Sequence, residues 1–190
     1  MQIHGYSFGA VAPAPLSLAD FDRMKSAALF GEGDVAALRR SHDVLAPQTD
    51  AILDVWYGFV GSLPHLLASF SLEGRPDVAY LGAVRARFGQ WILDTARAEY
   101  DQRWLDYQFE IGRRHHRVGK NRTDGAKASP IVELRYLFPL IVPVTHTLRP
   151  FLAADGASPE EVDARHAAWL KSVMLQVTLW AHPYVKEGDY

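Results

Sequence analysis

The run 101-DQRWLDYQFEIGRRHHR-117 reads as one amphipathic helix that starts on the capping residue Asp101. At about 100° per residue, Trp104, Tyr107, Ile111 and His115 fall within about 80° of one another. His115 therefore extends an apolar stripe. His116 lies about 100° further round, with Leu105, Phe109 and Gly112. A histidine on an apolar face is either a hydrogen-bonded core residue or a ligand, and periodicity alone leaves both open.

The same period recurs on either side of that run. Ser17 and Asp20 resemble a helix start, and Leu18, Phe21, Met24, Ala28 and Leu29 follow at helical spacing until Gly31 and Gly33 end it. A second helix is expected from Asp34 to Ala46, stopped by Pro47, and a third from Gln48 to Gly61 with Ile52, Val55, Trp56, Phe59 and Val60 on its apolar side. Ser62 and Pro64 open a short helical turn over PHLLASF. Beyond Gly74, Pro76 suits a first helical position, and Leu81, Val84, Phe88, Trp91 and Thr95 mark one face of a long helix to about Glu99.

After residue 117 the segment VGKNRTDGAKASP is polar, basic and glycine-containing, hence a loop. Residues 131 to 152 read as one helix bent by Pro139, Pro143 and Pro150. Ser158, Pro159 and Glu161 form a capping box for a last helix, which Val162, Trp169, Val173, Leu175, Val177 and Trp180 carry to Ala181 ahead of Pro183. Nothing alternates or repeats, so the chain is an all-α protein.

Composition narrows the chemistry. The 190 residues are 48% hydrophobic and 22% charged, as in ordinary globular chains. Zero cysteines remove disulfides, thiolate metal sites, thiol nucleophiles and thioether haem attachment, leaving eight histidines as the strong nitrogen ligands. Five Trp, eight Tyr and nine Phe suffice to line a large flat apolar cavity as well as a core. A net charge of −2 argues against nucleic acid or an anionic membrane as partner. No apolar run approaches the ~20 residues of a membrane span, and the N-terminus lacks a basic start followed by an apolar stretch, so a cytoplasmic protein is expected.

Four motifs do not carry the chemistry they spell. Gly5-Tyr6-Ser7-Phe8-Gly9 matches a nucleophile elbow, but only four residues precede it where a strand is required; it reads as an irregular aromatic arm. Gly31-Glu32-Gly33-Asp34-Val35-Ala36 joins two helices where a dinucleotide site needs a strand feeding a helix. Asn121-Arg122-Thr123 is a glycosylation sequon in a chain with no secretory signal. Arg113, Arg114, Arg117, Lys120 and Arg122 sit where cations favour a helix C-terminus, though one or two of them could face an anionic ligand.

Longer ordered stretches identify a relative. Trp56-Tyr57-Gly58-Phe59-Val60-Gly61-Ser62, Pro64-His65-Leu66-Leu67, Arg87-Phe88, Trp91-Ile92-Leu93-Asp94-Thr95, Trp104-Leu105-Asp106-Tyr107-Gln108 and His115-His116-Arg117 resemble the protoglobins. The likeness continues through Arg135-Tyr136-Leu137, Lys171, Leu175-Gln176-Val177 and Pro183-Tyr184-Val185-Lys186, covering almost the whole chain.

The resemblance implies an all-α globin fold, a three-over-three helical sandwich, over residues 1–190. Residues 1–30 would form an arm and an extra helix covering the haem edge, and 34–182 the globin helices. One haem b is implied, with His115 as proximal iron ligand and His116 as its non-ligating neighbour. Trp56 and Tyr57 match the distal pair and Phe88 the distal aromatic. Val84, Arg87 and Ile111 also belong to the implied haem pocket. Leu140 and Val144 match gas-tunnel positions, the former often Phe in the family, and Ala96 stands where relatives commonly have cysteine. With no histidine beside Val84 and Phe88, a second imidazole ligand is not expected. Tyr57 is then the hydrogen-bond donor to a bound gas, and one neutral imidazole leaves the iron open to O2, CO or NO.

The implied function is gas binding, transport or sensing. The enzymatic alternative is haem redox work, namely nitric-oxide dioxygenation, peroxidation or carbene transfer, which needs an external reductant or oxidant because no flavin or nicotinamide motif is present. A haemless helical regulatory module is the third reading, and a Soret band would eliminate it. Only about ten residues follow the last helix, so any signal is expected to pass through a separate partner. The family commonly forms homodimers through its last two long helices, with Trp169 and Trp180 here as candidates for that face or for the core.

Overall fold

The computed structural model describes residues 2–190. Its helices are α1 (Leu18–Ala27), α2 (Glu32–Leu45), α3 (Thr49–Gly61), α4 (Pro64–Leu67), α5 (Val78–Arg97), α6 (Gln102–His115), α7 (Leu134–Leu137), α8 (Ile141–His146), α9 (Arg149–Leu152) and α10 (Pro159–Ala181). The only strands among the described residues are a two-residue antiparallel pair, β1 (Ser71–Leu72) and β2 (Arg75–Pro76), closed around Gly74. No single helix there is long and apolar enough to cross a membrane.

Side-chain capping sets the starts of α1, α5, α6 and α10. Ser17 and Asp20 form a reciprocal capping box at α1, and Ser158 and Glu161 do the same at α10, so two orphan N–H groups are satisfied at each start. Asp101 accepts the Trp104 N–H at 2.8 Å and starts α6. α5 begins two residues later than Pro76 suggests. Pro76 lies in the strand pair, and the Asp77 carboxylate is the cap, accepting the Tyr80 N–H at 3.0 Å. Its other end falls at Arg97, because Ala98 turns left-handed and the Arg39 guanidinium takes the Arg97 and Ala98 carbonyls.

Residues 131 to 152 are not one bent helix but three short ones. Pro139 lies between α7 and α8, while Pro143 and Pro150 occupy the first turns of α8 and α9. A proline lacks an N–H, which costs nothing only in a first turn, so three prolines in close succession impose restarts rather than a bend.

The core is organised around α10, which packs on α2, α5, α6 and α8. Leu38, Leu105, Trp104, Trp169 and Leu179 are fully buried there, each contributing roughly 1.5–3 kcal/mol relative to exposure. The closest approach is between α6 and α10. A Cβ on Gly112 would stand 2.8 Å from both the Cα and the carbonyl oxygen of Trp180, so only glycine admits that spacing. Trp169 is not on an outer face; it packs edge-on against Trp91 at 5.7 Å and is 1% exposed. Trp180 also turns inward, because its indole N–H donates to the buried Gln108 Oε1 at 2.9 Å.

α1 packs away from the open side of the molecule, with Phe21 against Trp104 and Tyr100 at 5.1 and 5.8 Å. The arm before it runs elsewhere. Tyr6 and Phe8 pack on Tyr107, Tyr6 donates its hydroxyl proton to Asp94 at 2.8 Å, and the Ala14 N–H donates to Asp106 at 2.8 Å.

Candidate functional site

α3 supplies Trp56 and Tyr57, α5 supplies Val84, Arg87 and Phe88, and α6 supplies Ile111 and His115 to a single cavity of ≈ 250 Å³. Leu140 and Val144, from the α7–α8 segment, line it as well. All nine residues singled out from the sequence are thus brought to one space, although they come from four separate stretches of chain. His116 does not line it. That residue is already outside the helix in extended conformation, its ring edge-on to Tyr184 at 4.8 Å.

His115 occupies the last position of α6 and faces the cavity, so part of its ring surface is open while the rest is enclosed. Its Nδ1 lies 2.8 Å from the Ile111 carbonyl oxygen. A carbonyl only accepts, so Nδ1 carries the proton, and the lone pair of the neutral ring is on Nε2. Among the described residues nothing hydrogen-bonds to Nε2. Burial, with a smaller contribution from the Lys120 charge, holds the imidazolium pKa below its usual value, so the ring is a neutral nitrogen donor.

The opposite wall is aromatic. Trp56 and Tyr57 both stand edge-on to Phe88, at 5.6 and 6.4 Å, and Phe88 leans on Trp91 at 5.2 Å. The Tyr57 hydroxyl makes no hydrogen bond among the described residues, and burial raises its pKa well above the usual phenol value. It is therefore a neutral O–H, free to donate to something inside the cavity.

One side of the cavity is polar and mostly cationic. Arg87 forms a two-pronged pair with Asp124 at 2.9 and 2.6 Å and also donates to the His4 carbonyl at 3.0 Å. Arg114 donates to Glu110 at 2.9 Å, to the Gly5 carbonyl at 2.6 Å and to the Ser7 hydroxyl at 2.9 Å. Lys120, 6% exposed, donates to the Ser69 carbonyl at 2.8 Å and to the Tyr80 hydroxyl at 3.0 Å. Burial pushes its pKa down to about 8 against the opposing pull of Asp124. So two of the five cations of the basic run, Arg114 and Lys120, do border the cavity.

The N-terminal arm grips two of these side chains, Arg87 and Arg114. Gly5 needs to be glycine: its φ is +71°, and a Cβ would come within 2.4 Å of Thr123 and 2.7 Å of Arg87. The arm holds the polar side of the cavity, whereas no residue of α1 lines it. Ser7 is held by an arginine rather than a base, which fits an arm and not a nucleophile. The sequon's Asn121 is left-handed at φ 71° and spends its amide on the Ala128 carbonyl at 2.7 Å, folding the loop beneath the cavity.

Sequence reasoning missed the partners that reach across the fold. Asp124 lies in a loop without periodicity, and Tyr107 enters the sequence reading only as part of a stripe. Trp180 was read as core or interface, yet its ring stacks on the His115 imidazole at 5.2 Å and 11°.

Comparison with known proteins places the chain. A family model described as Protoglobin matches residues 17–190. Among solved structures, the globin domain of the Geobacter sulfurreducens globin-coupled sensor superposes with a TM-score of 0.68 at 19% identity, covering 87% of this chain and 97% of that one. That likeness is one of fold, a globin fold built of helices. No curated protein matches the chain.

Proposed function

We propose that this chain, which belongs to the protoglobin family, holds one haem b in the cavity bordered by His115 and binds diatomic gases there. Membership of the family carries haem binding in general; the ligating residue, the haem type and the gases are our reading. The observation that supports it best is the state of His115, a neutral ring with Nδ1 committed to Ile111 and Nε2 free, across from an aromatic wall with one unused hydroxyl. The lining fits the group, since an apolar cavity whose polar side carries Arg87, Arg114 and Lys120, partly offset by Asp124 and Glu110, leaves a net positive edge for a flat macrocycle bearing two carboxylates.

When bound, haem supplies a ferrous iron that takes O2, CO or NO. The chain's own part is to bind and to tune. His115 would hold the iron through Nε2, and its Nδ1–H donation to the Ile111 carbonyl makes that nitrogen more basic and fixes the ring's tautomer. Trp56 and Phe88 keep water from the gas side, and the Tyr57 hydroxyl donates to a polar ligand such as O2. Arg87, Arg114 and Lys120 compensate the carboxylates. A pair of absorption spectra of the ferrous protein, with and without CO, tests the reading: a five-coordinate spectrum that converts on CO supports it, and a colourless protein overturns it.

We also read the protein as a homodimer, on the exposed apolar residues Leu170 and Met174 of α10, Val142 of α8 and Phe138 just before it. Trp169 and Trp180 have no part in that face. Light scattering checks it, with a monomer mass as the contrary result.

A further inference from the structure

We infer that Trp180, anchored by Gln108, is a positioning residue for the His115 imidazole; the inference rests on the haem reading above. Two contacts hold the Trp180 ring and a third holds its backbone. The Trp180 indole lies parallel to the imidazole at 11° with centroids 5.2 Å apart. Its own orientation is fixed by the bond from Nε1 to Gln108 Oε1 at 2.9 Å, and Gln108 is 1% exposed. Its backbone is fixed by the Gly112 contact, three residues before His115 on the same helix.

Trp180 itself packs against Trp91 at 5.8 Å, tilted by 58°, and the Trp91 indole N–H is in turn held by the fully buried Gln176 at 2.6 Å. The Nδ1 bond to Ile111 alone fixes one edge of the ring but leaves rotation about that bond; a parallel plate on one face removes it. Nε2 is thereby aimed in one direction. A buried indole N–H takes an acceptor in any core; what a core role alone would not need is the parallel geometry against the imidazole.

Partners that orient a metal-binding imidazole typically change metal affinity by 10–100-fold when removed. In the haem-loaded protein, Trp180→Leu is expected to shift and broaden the iron–imidazole stretch in the low-frequency Raman spectrum and to speed haem transfer to an acceptor apoglobin about tenfold. Trp180→Phe, which keeps a ring on the imidazole, is expected to restore the stretch largely. Gln108→Met, which frees the indole without removing it, is expected to broaden the stretch with a smaller effect on haem transfer, and it serves if Trp180→Leu fails to fold. An unchanged stretch in both Trp180→Leu and Gln108→Met overturns the inference, as does an unchanged stretch accompanied only by faster haem loss, which marks simple packing. A wild-type protein that takes up no haem overturns the parent reading instead, and that result is seen before any variant is made.

Discussion

The Nδ1 of His115 meets the carbonyl oxygen of Ile111, one turn earlier on α6, at 2.8 Å. The adjacent His116 has left the helix, lies outside the cavity, and keeps its Nδ1 buried without a partner. Two neighbouring histidines thus have separate environments. His115→Ala is expected to abolish haem binding, while His116→Ala retains the Soret band and its shift with CO. Loss of haem from the His116 variant alone would reverse the assignment.

Gly112 sets the distance between the helix that carries His115 and the helix that carries Trp180. A Cβ there meets backbone atoms at 2.8 Å, which cannot swing aside as a side chain would. Gly112→Ala should therefore cost about 1–3 kcal/mol, the usual range for overpacking. Gly58→Ala is the control: its Cβ meets nothing within 4 Å and it sits within α3, so it should gain up to about 1 kcal/mol from helix propensity. Thermal melts of the two variants should move in opposite directions.

Local signals in the sequence carried far. The stripe Trp104, Tyr107, Ile111, His115 singled out the right histidine for the cavity, and the capping boxes at Ser17 and Ser158 set two helix starts, because both depend on residues three or four apart. What stayed hidden depends on residues far apart. Trp91 and Gln176 are separated by 85 positions, Trp180 and Gln108 by 72, Arg87 and Asp124 by 37. No periodicity links such pairs; only the packing of α10 on α5 and α6, and the return of the loop through the bond from the Val132 N–H to the His115 carbonyl, brings them together. The prolines of 131–152 were visible, but whether they bend or break depends on where each falls in a turn.

Lys120 offers a pH signature. Its folded pKa of about 8 is below the ~10.4 of a free lysine, so between those values the unfolded chain holds a proton that the folded chain has released. Stability attributable to Lys120 therefore rises as pH climbs through 8 and levels off near 10.4, with a slope of at most about 1.4 kcal/mol per pH unit. The stability of wild type relative to Lys120→Met, read from urea midpoints, should increase between pH 8 and 10. A flat difference across that range would mean that the ammonium is not penalised by its site.

The arm and α1 should behave differently when disturbed, because only the arm touches the cavity's polar side. Deleting residues 1–14 removes the contacts of Gly5 and Ser7 with Arg114 and of His4 with Arg87, and haem transfer to an acceptor should quicken; the packing of Tyr6 and Phe8 on Tyr107 and the Tyr6–Asp94 bond are lost too, so the melting temperature falls and transfer is compared well below both melts. Phe21→Ala, which empties a buried site against Trp104, should cost about 3–5 kcal/mol of stability with unchanged haem transfer below the melt. Equal haem retention in the deletion and the full chain would contradict a covering role for the arm.

Tyr57 carries the only hydroxyl of the distal trio Trp56, Tyr57 and Phe88, and that hydroxyl has no partner among the described residues. Tyr57→Phe removes a donor without reshaping the wall, since the ring contacts with Phe88 and Phe70 persist. A hydrogen bond of ordinary net strength, about 0.5–1.5 kcal/mol, corresponds to roughly a 2–10-fold change in a dissociation rate. Stopped-flow release of O2 should quicken by that factor. CO accepts hydrogen bonds weakly, so its release should be nearly unchanged, and the ratio of the two separates donation from a mere change of pocket volume. If both rates change alike, the hydroxyl acts through space-filling and not through its proton.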